Sequence, residues 1–405
     1  MTSFQTTSTS VTVNPGRGLT WSLSGATISV QGDYRINYWV SNSGSFDASV
    51  SGASMSVSVT PNATATGETT ITSTGSTCHI ERVRIQLHGM PSWLCNLFIG
   101  AVEGAMRDHL CKTAQDEVNE GMARELFILP VTMPVGHDDQ YQIDYRLVAA
   151  PAFASGYMES FHKGEFFNAG DSTEAPFQPS PLPSPASAEH MGTFWVSKYV
   201  LDTAGYVLQK RGVMRYSFTK NDLVPAAQSR DRLSTTCSLL DGCIGALVPS
   251  VGEMYPNASV EIEMFSSAAP VARINPQCLT GYFAGVAVFR ARLSDGSLAH
   301  LFGMNVRAKT NVTLRLDGSV LKATVASMEN TLAVADTSVG PMSTALLGLA
   351  FDVAKDTYII PKLNEAGEKG FPLPTQYVQL TNAEVKLEND CVCVFTDVKY
   401  NSTIR

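Results

Sequence analysis

The chain has 405 residues, 44% hydrophobic and only 16% charged, with 29 Lys and Arg against 37 Asp and Glu for a formal charge of −8. That balance excludes a disordered chain, and also a general nucleic-acid binder, which would carry clustered basic excess against phosphate. No apolar run reaches the roughly 18 residues of a membrane-spanning helix; the richest stretch, Thr344 to Val353, is broken by Asp352.

At about 150 residues per domain, the length predicts two or three domains. The acidic excess lies wholly in the first part: residues 1–180 hold 9 basic and 17 acidic side chains, the remainder 20 of each. A solvated acidic surface explains it better than a cation site. Within the first 90 residues, Met55-Ser-Val-Ser-Val59 and Val83-Arg-Ile-Gln-Leu87 alternate apolar with polar, as half-buried antiparallel strands do. From Pro91 to about Leu126 the period changes. Cys95, Phe98, Ile99, Val102, Met106 and Leu110 recur at three and four residues, predicting a long amphipathic helix with Ser92 as N-cap. Strands resume at Tyr141 to Leu147. Asp171 to Pro185 then holds five prolines, which forbid a helix or central strand and read as an interdomain connector.

The second part repeats the plan. Ser197 to Arg211 reads as a helix closed by Gly212. Strands follow at Val260 to Met264 and Val312 to Leu316, with hairpin turns at Asp295-Gly296 and Asp317-Gly318. A second long helix is predicted from about Met342 to Leu363, and the chain ends in strands at Val378 to Leu380, Ala383 to Leu387 and Cys391 to Val398. Two strand-rich sheets, each with a long apolar helix, argue for two similar α+β modules.

Catalytic chemistry is not encoded in any motif. The G-x-S-x-G, H-E-x-x-H, Walker and G-x-G-x-x-G patterns do not occur. His137-Asp138-Asp139 has metal-ligand residue types, but it follows Met133-Pro-Val-Gly136 and reads better as an exposed turn. None of the eight cysteines has zinc-site spacing. Cys237 and Cys243 could close a small loop or stay free. Cys391 and Cys393, two apart on one strand, read as packed thiols. Four N-x-S/T sequons, at Asn62, Asn257, Asn311 and Asn401, are candidate glycan acceptors. They suit a secreted protein, yet Met1-Thr-Ser-Phe-Gln5 has neither the charged nor the apolar region of a signal peptide.

Particular blocks carry a family resemblance. Glu368-Lys-Gly-Phe-Pro-Leu-Pro-Thr375, Val378-Gln-Leu-Thr-Asn382 and Thr396-Asp-Val-Lys-Tyr400 resemble the C-terminal signature of the bactericidal/permeability-increasing and lipopolysaccharide-binding proteins. Gly67-Glu-Thr-Thr-Ile-Thr72, Trp93-Leu94, Leu97-Phe98, His162-Lys-Gly-Glu-Phe166 and Asp202-Thr-Ala-Gly205 are similar to further blocks of that family. Arg232-Leu-Ser-Thr235 falls where it has a strand. The resemblance runs in order from about Gly18 to Tyr400.

The resemblance implies an α+β fold of two elongated antiparallel barrels, each wrapping a long helix, joined by a central sheet into a boomerang. The expected division is residues 1–168 for the first barrel, 169–192 for the linker and 193–405 for the second barrel with the final strands in the central sheet. It implies a Cys78–Cys111 disulfide. It also implies an extracellular, secreted, non-enzymatic protein without cofactor or metal, holding phospholipid acyl chains in apolar pockets. Transient contact with lipopolysaccharide or membrane surfaces, in innate defence, belongs to the same expectation. Phe98, Val102 and Met106 are the candidate lining residues of the first barrel. Val200, Leu208, Leu346, Ala350 and Phe351 are those of the second. The alternative is a scaffold member whose pockets are filled by its own side chains. Two departures stand out. The family's leader, first strand and first helix precede the point where these residues begin, and the family's Lys-rich endotoxin tip corresponds here to Gln31-Gly-Asp-Tyr-Arg-Ile-Asn37, with a single Arg.

Overall fold

The computed structural model describes residues 3–37, 41–127, 130–136, 139–171, 173–182, 189–220, 232–238, 242–375 and 378–400. The chain divides into two compact units, Met1–Val131 with Arg146–Lys163, and Thr132–Tyr145 with Gly164–Arg405. In chain order the elements begin with β1 (Ser3–Gln5), β2 (Ser8–Asn14), β3 (Gly18–Asn37), β4 (Ser41–Ala63), β5 (Thr69–Leu87) and α1 (Ser92–Phe127). There follow β6 (Thr132–Pro134), β7 (Tyr141–Asp144), β8 (Leu147–Phe153), β9 (Met158–His162), β10 (Glu165–Asn168), β11 (Gly192–Ser197), α2 (Lys198–Lys210) and β12 (Arg215–Phe218). Next come short helices α3 (Ile244–Leu247) and α4 (Pro249–Met254), then β13 (Ser259–Ser266), β14 (Val271–Asn275), β15 (Cys278–Arg292), β16 (Leu298–Asp317) and β17 (Val320–Thr337). Helix α5 (Thr344–Ala354) runs through a π-turn (Lys355–Ile359) into α6 (Ile360–Lys369), before β18 (Phe371–Pro372), β19 (Val378–Glu388) and β20 (Cys391–Tyr400).

The first unit is an antiparallel sheet of order β1-β3-β4-β5, with β2 also on β3, and the β8–β9 pair. The alternation read in the sequence is its cause. Met55, Val57, Val59, Val83 and Ile85 are buried on one face. On the other face, serine and threonine hydroxyls pair across strands, Thr20 with Ser58 at 2.9 Å and Ser22 with Ser56 at 3.3 Å. Helix α1 covers the apolar face, laying Met106, Leu110 and Cys111 on Ala48, Val50, Ile80, Val83 and Ile85, and Ala114 on the Met55–Val59 group. The register of β3 on β4 shifts by one residue between Leu23 and Ala26 and returns by Ile28. Gly25 and Gly52, with φ of +64° and +65°, supply the left-handed residues of these two compensating bulges. The long strands thus bend together without exchanging their faces. Cys78 on β5 is bonded to Cys111 on α1, with the Cα atoms 5.6 Å apart.

The second unit is built on a seven-stranded antiparallel sheet of order β12-β13-β15-β16-β17-β18, with β14 pairing β15 beyond the end of β13. Gly296 and Gly318, at φ +84° and +61°, make the two Asp-Gly turns that were expected. Its main core gathers Phe289, Leu301, Phe302, Met304 and Val306 from the sheet with Val248 between the short helices, Val251 from α4 and Leu347 from α5. Phe289 and Phe302 stack with ring centroids 4.3 Å apart. A second core joins Val392 and Val394 of the β11-β20-β19 sheet to Ile274, Leu279, Leu321 and Leu373. Helix α2 begins as read: the Ser197 hydroxyl accepts from the Tyr199 N–H, and Gly212 has φ +69°. Thr203, fully buried on α2, accepts from the Phe166 N–H at 3.0 Å and donates to the helix carbonyls of Tyr199 and Val200.

Two expected strands differ. The Tyr141–Leu147 stretch is split: β7 ends at Asp144, and the Tyr145 hydroxyl turns inward to donate to the Pro372 carbonyl, its burial pushing the phenol pKa up. Arg232–Thr235 makes a single bridge, Ser234 to Ser259. Thr235 adds its side chain to that bridge, donating to the Tyr255 carbonyl at 2.6 Å and accepting from the Ala258 N–H at 2.9 Å, while its own N–H donates to the Ala258 carbonyl at 3.0 Å. Cys237 and Cys243 are bonded. Cys391 and Cys393 are free and buried with their sulfurs 3.9 Å apart, and burial pushes both thiols up.

Candidate functional site

The longest described helical run of the second unit is packed on one side only. Ser343 caps α5, accepting from the Leu346 N–H at 3.5 Å. Leu347 is buried and Phe351 packs against the Phe302 core, so one side of α5 is seated. The other side is not: Leu346, Leu349 and Val353 are 43%, 65% and 45% exposed. These positions are three and four apart and form one apolar stripe. The sequence predicts this helix to end near Leu363, but it continues to Lys369. Pro361 lacks the N–H that would bond back one turn, and its ring crowds the carbonyl there. The helix answers by widening: the Ile360 N–H reaches the Lys355 carbonyl across the π-turn.

Helix α6 is then pinned to the sheet. A Cβ on Gly367 would lie 2.1 Å from the Ala323 carbonyl oxygen, so only glycine permits this approach to β17. The Asn364 side chain accepts from the Val325 N–H at 2.8 Å. Lys355, on the π-turn, donates to Asn330 at 3.3 Å and Asp352 at 2.9 Å. At the helix end Arg315 forks onto both Glu368 carboxylate oxygens at 2.8 and 2.7 Å, holding that carboxyl below its ordinary range.

The candidate lining residues fall on several elements. The Phe98 side chain lies outside the described residues. Val102 is 37% exposed on α1, while Met106 is half-buried on the β4–β5 face. Val200 is buried and Leu208 half-buried on α2, whose neighbours are β10 and β14. Leu346 is exposed, Ala350 half-buried and Phe351 seated on the core, all on α5. Structure thus brings Leu346 together with Leu349 and Val353, which sequence reading did not single out. Their signal was the uninterrupted apolar run itself, which periodicity cannot divide between core and open face.

Of the sequons, Asn62 and Asn257 are exposed, and Asn257 has φ +59°. Asn311 is half-buried in the middle of β16, its amide donating to the Ser327 hydroxyl at 3.0 Å. Asn401 lies outside the described residues, as do His137 and Asp138. Among the described residues no group of three or more His, Cys, Asp or Glu is placed to hold a metal. Two clefts of about 520 and 410 Å³ open on β15–β17, lined by residues such as Tyr282, Arg307 and Thr331 that the sequence reading did not identify.

The family model described as the LBP / BPI / CETP family, C-terminal domain, matches residues 135–400, and the model of that family's N-terminal domain matches residues 1–120. The bactericidal permeability-increasing protein of Sebastes schlegelii is 27% identical over 394 residues, covering 95% of this chain and 81% of that protein. The human lipopolysaccharide-binding protein is also 27% identical, over 95% of this chain and 79% of its own length. A crystal structure of lipopolysaccharide binding protein matches with a TM-score of 0.59 at 21% identity, over 99% of this chain and 87% of that one, and so shares its fold.

Proposed function

The chain belongs to the LBP / BPI / CETP family, and on that premise we propose that it is a non-enzymatic lipid-binding protein that holds phospholipid acyl chains against its long helices. The observation that carries this reading is the unfinished face of α5. Three large apolar side chains in a row stand open beside a well-packed core, and an acyl chain laid along them removes that surface from water. Each buried methylene contributes about 0.8 kcal/mol, so roughly a dozen suffice for a long-lived complex. No bond is made or broken, which fits a sequence without catalytic motifs.

The names of the relatives refer to lipopolysaccharide and to bacterial killing. For this chain a strong hold on the phosphates of lipopolysaccharide is not part of the reading. Phosphate recognition favours Arg and Lys clusters, and Gln31–Asn37 offers Arg35 alone in an N-terminal part that carries the whole acidic excess. The two disulfides and the exposed sequons support an extracellular setting.

Leu349→Asp tests the proposal. At 65% exposure the substitution leaves the fold intact, but it sets a carboxylate where an acyl chain would lie. Uptake of a fluorescent phospholipid is expected to fall at least about tenfold, with an unchanged melting temperature. Equal uptake by both proteins would remove the lipid from α5.

A further inference from the structure

We propose that the outward face of the second unit's sheet, across β15, β16 and β17, docks on the phosphate headgroups of an anionic lipid surface. The proposal rests on the lipid-binding reading and adds the surface from which lipid would be collected or to which it would be delivered.

Register decides which side chains share this face. Directly paired residues of an antiparallel ladder point the same way. Tyr282 pairs with Lys309 and Lys309 with Glu329; Ala284 pairs with Arg307 and Arg307 with Thr331. Their neighbours in sequence, Val306 and Leu332, belong to the core, so the two rows point away from it. The cleft of about 520 Å³ lies between these rows, bounded at one end by Ala268, Ala269 and Val271, and the cleft of about 410 Å³ lies on the far side of the Arg307 row.

The charges on this face are divided unequally. Towards the end of β15, Arg290 and Arg292 are taken up by Glu263 and Glu261, and Arg215 also pairs with Glu263 at 2.7 Å. Around the clefts the cations are not so balanced. The Arg307 side chain makes no hydrogen bond or ion pair among the described residues. Arg273 stands over the Tyr282 ring at 5.0 Å with no carboxylate partner among them, and Lys309 meets Glu329 at a loose 3.6 Å. Three cations against one carboxylate leave a local formal charge of +2 on a chain of −8. Beside them Val271 is 51% exposed. Unpaired guanidinium groups next to open apolar surface fit headgroup phosphates with the edge of the acyl layer behind them. Asn311 lies on the same face, one row from Lys309, so a glycan there would cover the patch.

The test uses the full chain carrying Asn311→Gln, with and without Arg307→Glu/Lys309→Glu, and with Arg35→Glu as a charge-reversal control. Flotation is measured with phosphatidylcholine vesicles and with equimolar phosphatidylcholine–phosphatidylglycerol vesicles. The expected result is binding to the anionic vesicles alone, about tenfold or more weaker in the double reversal and unchanged in Arg35→Glu. Inorganic phosphate at matched ionic strength is expected not to compete. Unchanged binding in the double reversal, equal binding to neutral vesicles, or displacement by inorganic phosphate would each overturn the proposal. Extractable lipid is measured on the same proteins. Lipid retained while vesicle binding is lost supports docking as a step separate from holding. Vesicle binding that needs Arg307 in a chain devoid of extractable lipid would sink the carrier reading and leave the docking face standing.

Discussion

Replacing Cys78 and Cys111 together by alanine is expected to destabilise the first unit by about 4 kcal/mol, the loop-entropy value for a closure of this size. The bond spans 33 residues and ties β5 to α1. Among the described residues, little else holds the helix. None of the described α1 side chains is fully buried, and those seated on the sheet, Met106, Leu110, Cys111 and Ala114, are half-buried. Losing the Cys237–Cys243 bond, with a separation of 6, should cost only about 2 kcal/mol by the same relation. Amide hydrogen exchange distinguishes the two cases. In the Cys78/Cys111 variant α1 should exchange far faster while β15–β17 keep their protection; α1 protection equal to that of the parent would mean that packing alone holds the helix.

Phe302→Ala is the corresponding break in the second unit. Phe302 has no exposed surface and stacks on Phe289 at the centre of the main core. Truncating a buried Phe costs about 3–5 kcal/mol, because the lost transfer energy is joined by a cavity that the neighbours fill only in part. For a unit of this size, each kcal/mol lowers the transition by roughly 2–4 °C, so a fall of about 10 °C is expected by calorimetry. Met191→Ala, at a site 71% exposed, should stay within about 0.5 kcal/mol of the parent. Similar effects from the two substitutions would show that the Phe302 core is not where this unit's stability resides.

What sequence made legible was whatever short-range pattern controls. Alternation at Met55–Val59 and Val83–Leu87, the Ser197 cap with Gly212, and the two Asp-Gly turns all follow from local chemistry, and the two α+β units are their sum. Resemblance, not periodicity, supplied the Cys78–Cys111 pairing and the family. Long-range effects were out of reach. Nothing local marks Tyr145 as a side chain that leaves its strand for the Pro372 carbonyl. The docking face is the clearest case. Counting back from the Asp317-Gly318 turn pairs Lys309 with Met328. A one-residue bulge between Asn311 and Val312 makes the partner Glu329 instead. One residue of slip moves a side chain to the opposite face, so without the bulge Glu329 and Thr331 would not stand in the rows of Lys309 and Arg307. The lining residues were legible only as apolar helix positions; which of them are seated and which stand open depends on the sheet beneath.

The open face of α5 and its surroundings are expected to hold lipid. The most direct measurement is organic extraction and mass spectrometry of the protein purified from a eukaryotic secretion host. Phospholipid recovered in stoichiometric amount, and lost in Leu349→Asp, is the predicted result. A folded chain that emerges empty and stays empty after incubation with liposomes would contradict it.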